Sequence, residues 1–266
     1  MQREYKKIAL LCDYGLDDAI ATSYLMERRE AFEKIDIVPI GGNLPLETAY
    51  KNAWKLMNAA EGDLSMVRIV NTFAIPQPGK NLTRIHGADG MGDILPDTDE
   101  KPLPEIDFYE WLAGIDEEYM IFSLGPCTVA EKVMDAVPGA GLIIMGGNVS
   151  EKPNFEGREF NHALDVPAFA SCVKHDHAAV TLDTSRASFL DFSGVPLKSR
   201  TLFEKLACRY RDLVMMRGRS EVWIYDLYAV YYFFHPECFD IEELTDPDGN
   251  MLSVLKYSYP DLILSV

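Results

Sequence analysis

A chain of 266 residues, 48% of them apolar, is long enough for one substantial core and shows no composition shift that asks for a second domain. Its 42 acidic against 25 basic residues leave a net charge of −17, which argues against a nucleic-acid polymer as partner, since such partners call for a basic footprint. Five cysteines, Cys12, Cys127, Cys172, Cys208 and Cys238, are odd in number and lack Cys-x-x-Cys spacing, so neither a disulfide framework nor a zinc ribbon is suggested. Reduced thiols in the cytoplasm are expected. The N-terminus enters an apolar run without a signal-like segment, and no run reaches membrane-spanning length, so no membrane role is expected.

Strand-like runs follow in order at Ile8–Cys12, Ile35–Ile40, Val67–Val70, Tyr119–Phe122, Leu142–Met145 and Ala178–Leu182, each separated from the next by helix-like stretches. This alternation predicts an α/β fold with an open, mostly parallel β-sheet flanked by helices, in one domain over residues 1–266. Pro96–Glu105, with three prolines and several acids, reads as a surface loop. Ligands of such sheets bind at the carboxyl ends of the strands.

The first strand runs directly into Cys12-Asp13-Tyr14-Gly15-Leu16-Asp17-Asp18. Three carboxylates within six residues repel one another unless a cation lies among them, and oxygen-rich clusters suit calcium or magnesium. Gly15 is expected to permit the sharp turn. The plainer alternative is that Asp17 and Asp18 complement the positive end of the next helix. The Asp-x-Asp nucleophile loop of haloacid-dehalogenase-like phosphatases does not fit, because the residue two after Asp13 is Gly15.

The segment resembles the Asp-x-Asp-Pro-Gly-x-Asp-Asp signature of the inosine-uridine nucleoside hydrolase family, and further matches recur in order. Gly41-Gly42-Asn43 is similar to the family's Gly-Asn turn, with Asn52 following in the next helix. His86-Gly87-Ala88-Asp89-Gly90 resembles its His-Gly-x-x-Gly loop, and Gly125-Pro126-Cys127-Thr128 its Gly-Pro-Leu-Thr turn. Met145-Gly146-Gly147, Glu159-Phe160-Asn161 with Asp165, and Tyr225-Asp226 resemble three later family motifs. The set spans residues 8 to about 230.

The resemblance implies a nucleoside hydrolase-like fold and calcium-dependent cleavage of an N-ribosyl bond. By it, Asp13 would touch the metal and take a proton from the attacking water, Asp18 and Asp226 would hold the ion, and the Thr128 carbonyl would add a neutral ligand. Asp17, Asn43, Glu159 and Asn161 would bind ribose hydroxyls. His86 and Tyr225 would lie on the side of the leaving base. A homodimer or homotetramer is implied as well.

Three departures stand out: Leu11 replaces the first family Asp, Tyr14 the turn proline, and Tyr225 the late His. A phenol, with an ordinary pKa near ~10, donates a proton less readily than imidazolium, so the leaving group is expected to differ from that of inosine. A ribosyl-binding protein without turnover and a hydrolase of another ribosyl compound are the alternatives.

Overall fold

Strand β1 (Lys7–Cys12) has five buried residues in a row, and its side chains alternate between two separate cores. Ile8, Leu10 and Cys12 enter one, Ala9 and Leu11 the other. A strand buried on both faces is what a parallel sheet covered by helices on each side demands. The computed structural model describes residues 5–73, 75, 83–186, 189–191, 201–219, 222–258 and 261–263.

β1 lies between β2 (Lys34–Pro39) and β5 (Tyr119–Ser123), parallel to both. β3 (Val67–Asn71) and β4 (Glu105–Asp107) extend the sheet beyond β2, and β6 (Gly141–Met145) and β7 (Ala178–Val180) beyond β5. An antiparallel pair, β9 (Phe239–Thr245) and β10 (Met251–Tyr257), completes the nine-stranded sheet, with β10 running parallel to β7. β8 (Phe189–Asp191) and β11 (Asp261–Ile263) pair separately. The fold is the expected α/β sheet. Among the described residues, no helix is long and apolar enough to cross a membrane.

Helices α1 (Leu16–Met26), α2 (Leu46–Ala59), α9 (Leu202–Met216) and α10 (Tyr225–Phe234) send side chains into the first core. The second is covered by α4 (Phe108–Ala113), α5 (Thr128–Ala136) and α7 (Val166–Cys172). The remaining short helices are α3 (Thr83–His86), α6 (Phe160–Leu164) and α8 (Leu182–Arg186). All eleven residues of α1 are buried between neighbours, and the aromatic run of α10 packs on it. Tyr228 is buried in that core, and Tyr231, Tyr232, Phe233 and Phe234 pack half-buried against it.

Two boundaries differ from the sequence reading. The last expected strand stops at Val180, because Leu182 already opens α8 and Thr181 bonds to Thr184 at the helix start. The proline-rich loop ends before Glu105, which pairs with Ile69 in β4.

β2 and β5 are tied by Asp36, a fully buried carboxylate that accepts from Trp111 Nε1 at 2.8 Å, from Tyr119 Oη at 2.9 Å and from Arg68. Asp36→Ala strands two buried donors and the guanidinium, and is expected to cost roughly 2–5 kcal/mol. Urea unfolding should show a lowered midpoint at unchanged slope; a midpoint within error of the parent would remove Asp36 from the fold's supports.

Candidate active site

The loops after β1, β2, β5 and β6 emerge at one edge of the sheet and bring the expected residues together. Asp17, Asn43, His86, Glu159, Asn161, Tyr225 and Asp226 line one cavity of ≈ 180 Å³, while Asp13 and Asp18 have no exposed surface and stand behind its wall. Thr128 opens α5, and its hydroxyl donates to Asp165 at 2.6 Å. Residues far apart in sequence thus meet around a few acids.

Asp17, Asp18 and Asp226 each place one oxygen within 4.8 Å of the others, and all three are buried. One oxygen of Asp17 and one of Asp18 are buried without a hydrogen-bond partner among the described residues, while the other Asp18 oxygen accepts from Gly15 N at 2.9 Å. Asp13 is engaged differently. Its two oxygens accept from the backbone N and the side-chain Nδ2 of Asn43, at 2.6 and 2.9 Å. Asn43 therefore orients Asp13 through its backbone N–H and one Nδ2 hydrogen, which leaves its amide oxygen and the second Nδ2 hydrogen for a ligand.

Burial pushes Asp18 and Asp226 well above the usual carboxylate range, and the nearby acids push further: Asp226 and Asp13 on Asp18, Asp17 and Asp13 on Asp226. Burial also raises Asp13, against the contact with Asp18 and the Asn43 N–H. Such a set of oxygens, buried, mutually repelling and partly without donors, matches the demand of a hard divalent cation. The fit rests on Asp17, Asp18 and Asp226, with Asp13 beside them.

The turn that carries this cluster differs from expectation. Gly15 has φ −64, an ordinary value, and the left-handed residue is Tyr14 with φ 52. A proline could not occupy that conformation, since its ring holds φ near ~−65°. Gly15 is needed for room instead: a Cβ there would stand 2.9 Å from both Asp17 Oδ1 and His86 Cε1. Gly42 is tighter, as its Cβ would lie 2.0 Å from Asp13 Oδ2. Asn52 donates to the Tyr14 carbonyl and to that of Asp89, joining the strained turn to the His86 loop.

His86 Nδ1 accepts from Leu16 N at 3.1 Å and lies 3.6 Å from Asp17 Oδ1. An accepting Nδ1 places the ring proton on Nε2, which makes that atom the donor. Glu159, far from being a surface acid, is 2% exposed. It caps α6 through the N–H groups of Asn161 and His162 and also accepts from Gly147 N. Burial outweighs those donors and pushes it up to about 7. Asn161 donates Nδ2 to the carbonyls of Leu124 and Met145, which leaves its amide oxygen as an acceptor in the cavity wall.

Tyr225 opens α10, is hydrogen-bonded to Arg186, and has its phenol pushed up by burial, so it stays protonated near neutrality. Tyr210 and Asn154 also line the cavity; neither lies in a motif that sequence reasoning singled out. Asp183 holds the backbone of Val149, Ser150 and Glu151, fixing the loop that follows β6. His162 stacks on Phe169 at 4.0 Å, His177 Nε2 accepts from Ser253 N, and His235 Nε2 meets Tyr24 Oη at 3.2 Å.

Residues 8–254 match the model of the family described as inosine-uridine preferring nucleoside hydrolase. Comparison with curated proteins gives no match. Among solved structures, the chain is similar to a purine-preferring ribonucleoside hydrolase from Gardnerella vaginalis, at 18% identity and TM-score 0.75, covering 96% of this chain and 94% of that one. A plant nucleoside hydrolase, PpNRh1, gives 19% identity and TM-score 0.74, with 95% and 86% covered. The type III effector protein XopQ, solved with adenosine diphosphate ribose, gives 13% identity and TM-score 0.65, with 98% and 90% covered. At these identities the structural likeness speaks for the fold alone.

A carboxyl raised in the folded state releases its proton on unfolding, so stability falls as pH climbs from the unfolded value to the folded one. For Glu159 that window runs from 4.5 to about 7. The metal-free chain should therefore lose thermal stability across it, and Glu159→Gln should flatten part of the slope in calorimetric melts. A melting temperature that rises through the window would contradict these buried acids.

Proposed function

Because the chain belongs to the inosine-uridine preferring nucleoside hydrolase family, whose chemistry is N-glycosidic hydrolysis of nucleosides, we propose that this cavity cleaves the N-ribosyl bond of a ribonucleoside with calcium as cofactor. The observation that carries the reading is the buried group of Asp17, Asp18 and Asp226, of which Asp17 and Asp226 line a cavity shared with Asn43, Glu159 and Asn161. Asp13, Asp18 and Asp226, with the Thr128 carbonyl, would hold the ion, and Asp17, whose oxygen belongs to the same buried group, would turn to a ribose hydroxyl. A divalent cation there offsets the carboxylates' repulsion and makes a neighbouring water more acidic.

Water attacks the anomeric carbon, its proton passes to Asp13, and the C–N bond electrons leave with the base, giving free ribose. Asp17 and Glu159 accept from ribose hydroxyls, and the amide oxygens of Asn43 and Asn161 do likewise. Such contacts strengthen as positive charge grows on the ring. His86 Nε2–H and the Tyr225 phenol are the donors offered to the departing base. Tyr225 in place of a histidine favours a second reading on the same site, hydrolysis of a ribosyl compound whose leaving group needs little protonation. A homodimer or homotetramer in the cytoplasm is the expected setting.

A panel of purine and pyrimidine nucleosides, assayed for free ribose with calcium and with chelator, tests the proposal. Calcium-dependent release should fall by a factor of about 10² or more in Asp13→Ala. Release that ignores chelator, or survives that substitution, would refute the assignment. Asp18→Ala should weaken calcium binding more than Glu159→Ala, and equal losses by calorimetry would show that ion and sugar residues are confused.

A further inference from the structure

The ≈ 180 Å³ of the inner cavity is small beside the roughly 300–1,000 Å³ of pockets that enclose a whole ligand. A volume of that order suits a sugar ring, so the base met by Tyr225 and any further substituent extend toward the rim. Ile85, Asn154, Tyr210 and Tyr225 line this cavity and also a larger adjoining basin of ≈ 850 Å³. A substrate seated in one reaches the other past these four side chains.

The basin departs from the rest of the molecule in charge. Among the described residues, Arg186, Arg217 and Arg219 line it against a single acid, Glu151, in a chain of net charge −17. Arg186 pairs with Glu151 through Nη1 at 3.1 Å, while its Nε is buried without a hydrogen-bond partner among the described residues. Arg217 uses Nε on the Leu213 carbonyl at 3.1 Å, and among the described residues neither Arg217 nor Arg219 has a carboxylate partner. Two guanidinium groups without a carboxylate partner among the described residues, beside a third at the mouth of the cavity, form a surface for a compact anion with many acceptor oxygens. Phosphate has that character, and arginine forks match it. The primary 5′ hydroxyl is the one ribose hydroxyl that stands off the ring, so a phosphate carried there can extend from the inner cavity into the basin.

We propose that the basin is a phosphate subsite, and that the preferred substrate is a ribosyl compound phosphorylated at its 5′ oxygen; this deepens the hydrolase reading and rests on it. The local positive charge serves one small anion, whereas a nucleic-acid polymer would meet the acidic remainder of the surface.

The test uses C-nucleosides, whose glycosidic carbon–carbon bond is not a substrate for N-ribosyl hydrolysis, so that binding is read apart from turnover. Pseudouridine, its 5′-monophosphate and its 5′-diphosphate are titrated calorimetrically into the wild-type chain and into Arg217→Gln/Arg219→Gln. The phosphorylated ligands should bind at least about tenfold tighter than pseudouridine at low salt, with the advantage shrinking as salt rises and collapsing in the double variant. Phosphorylated ligands that bind no tighter than pseudouridine, or an advantage that survives the double substitution, overturns the subsite. Failure of the hydrolase reading would appear separately, as absence of free base from purine and pyrimidine nucleosides and from their 5′-monophosphates alike.

Discussion

Asp13, Asp17, Asp18 and Asp226 crowd together where water hardly reaches, none of them more than 7% exposed. Removing an ionised carboxylate from water costs several kcal/mol even after relaxation, and four close together add mutual repulsion. The chain tolerates this in two ways. Some charge is suppressed, as the raised protonation of Asp13, Asp18 and Asp226 shows, and part is met by fixed donors, the Asn43 amides for Asp13 and Gly15 N for Asp18. What remains, one oxygen each of Asp17 and Asp18 without a hydrogen-bond partner among the described residues, is the structural reason for assigning a cation.

The surroundings are built for that crowding. Side chains are excluded at Gly15 and Gly42 because the space is filled by Asp17, His86 and Asp13. Tyr14 accepts a left-handed backbone that costs of order 1–3 kcal/mol, and its carbonyl is held by Asn52. Asp226 arrives on the first turn of α10, whose other buried residues pack against α1, so the helix pair that buries core also fixes the separation of Asp17, Asp18 and Asp226. Packing and site geometry are one arrangement.

Most of this was legible from residues whose chemistry is local. The strands β1, β2, β5 and β6 are continuous apolar runs, and a buried parallel strand needs nothing else to be recognised. Asp13, Asp17 and Asp18 announce themselves by spacing, and Asp226 by lying in an apolar stretch. The β9–β10 hairpin went unread although Asp246-Pro247-Asp248-Gly249-Asn250 is a turn sequence between alternating segments; its strands show one buried residue in seven and three in seven, too faint a pattern beside the apolar runs. Tyr14 was opaque for another reason, since a left-handed non-glycine residue is selected by tertiary contacts that no spacing records. Arg217 and Arg219 gained meaning only when folding set them beside Tyr225.

The central claim is that the buried carboxylates, pushed toward the protonated form by burial and by one another, form a cation site. Calcium titration by calorimetry near pH 6, repeated in buffers of different ionisation enthalpy, measures binding and proton release together. One calcium per chain with net release of protons is the expected result. Calcium binding without proton release, or no saturable binding, would contradict it.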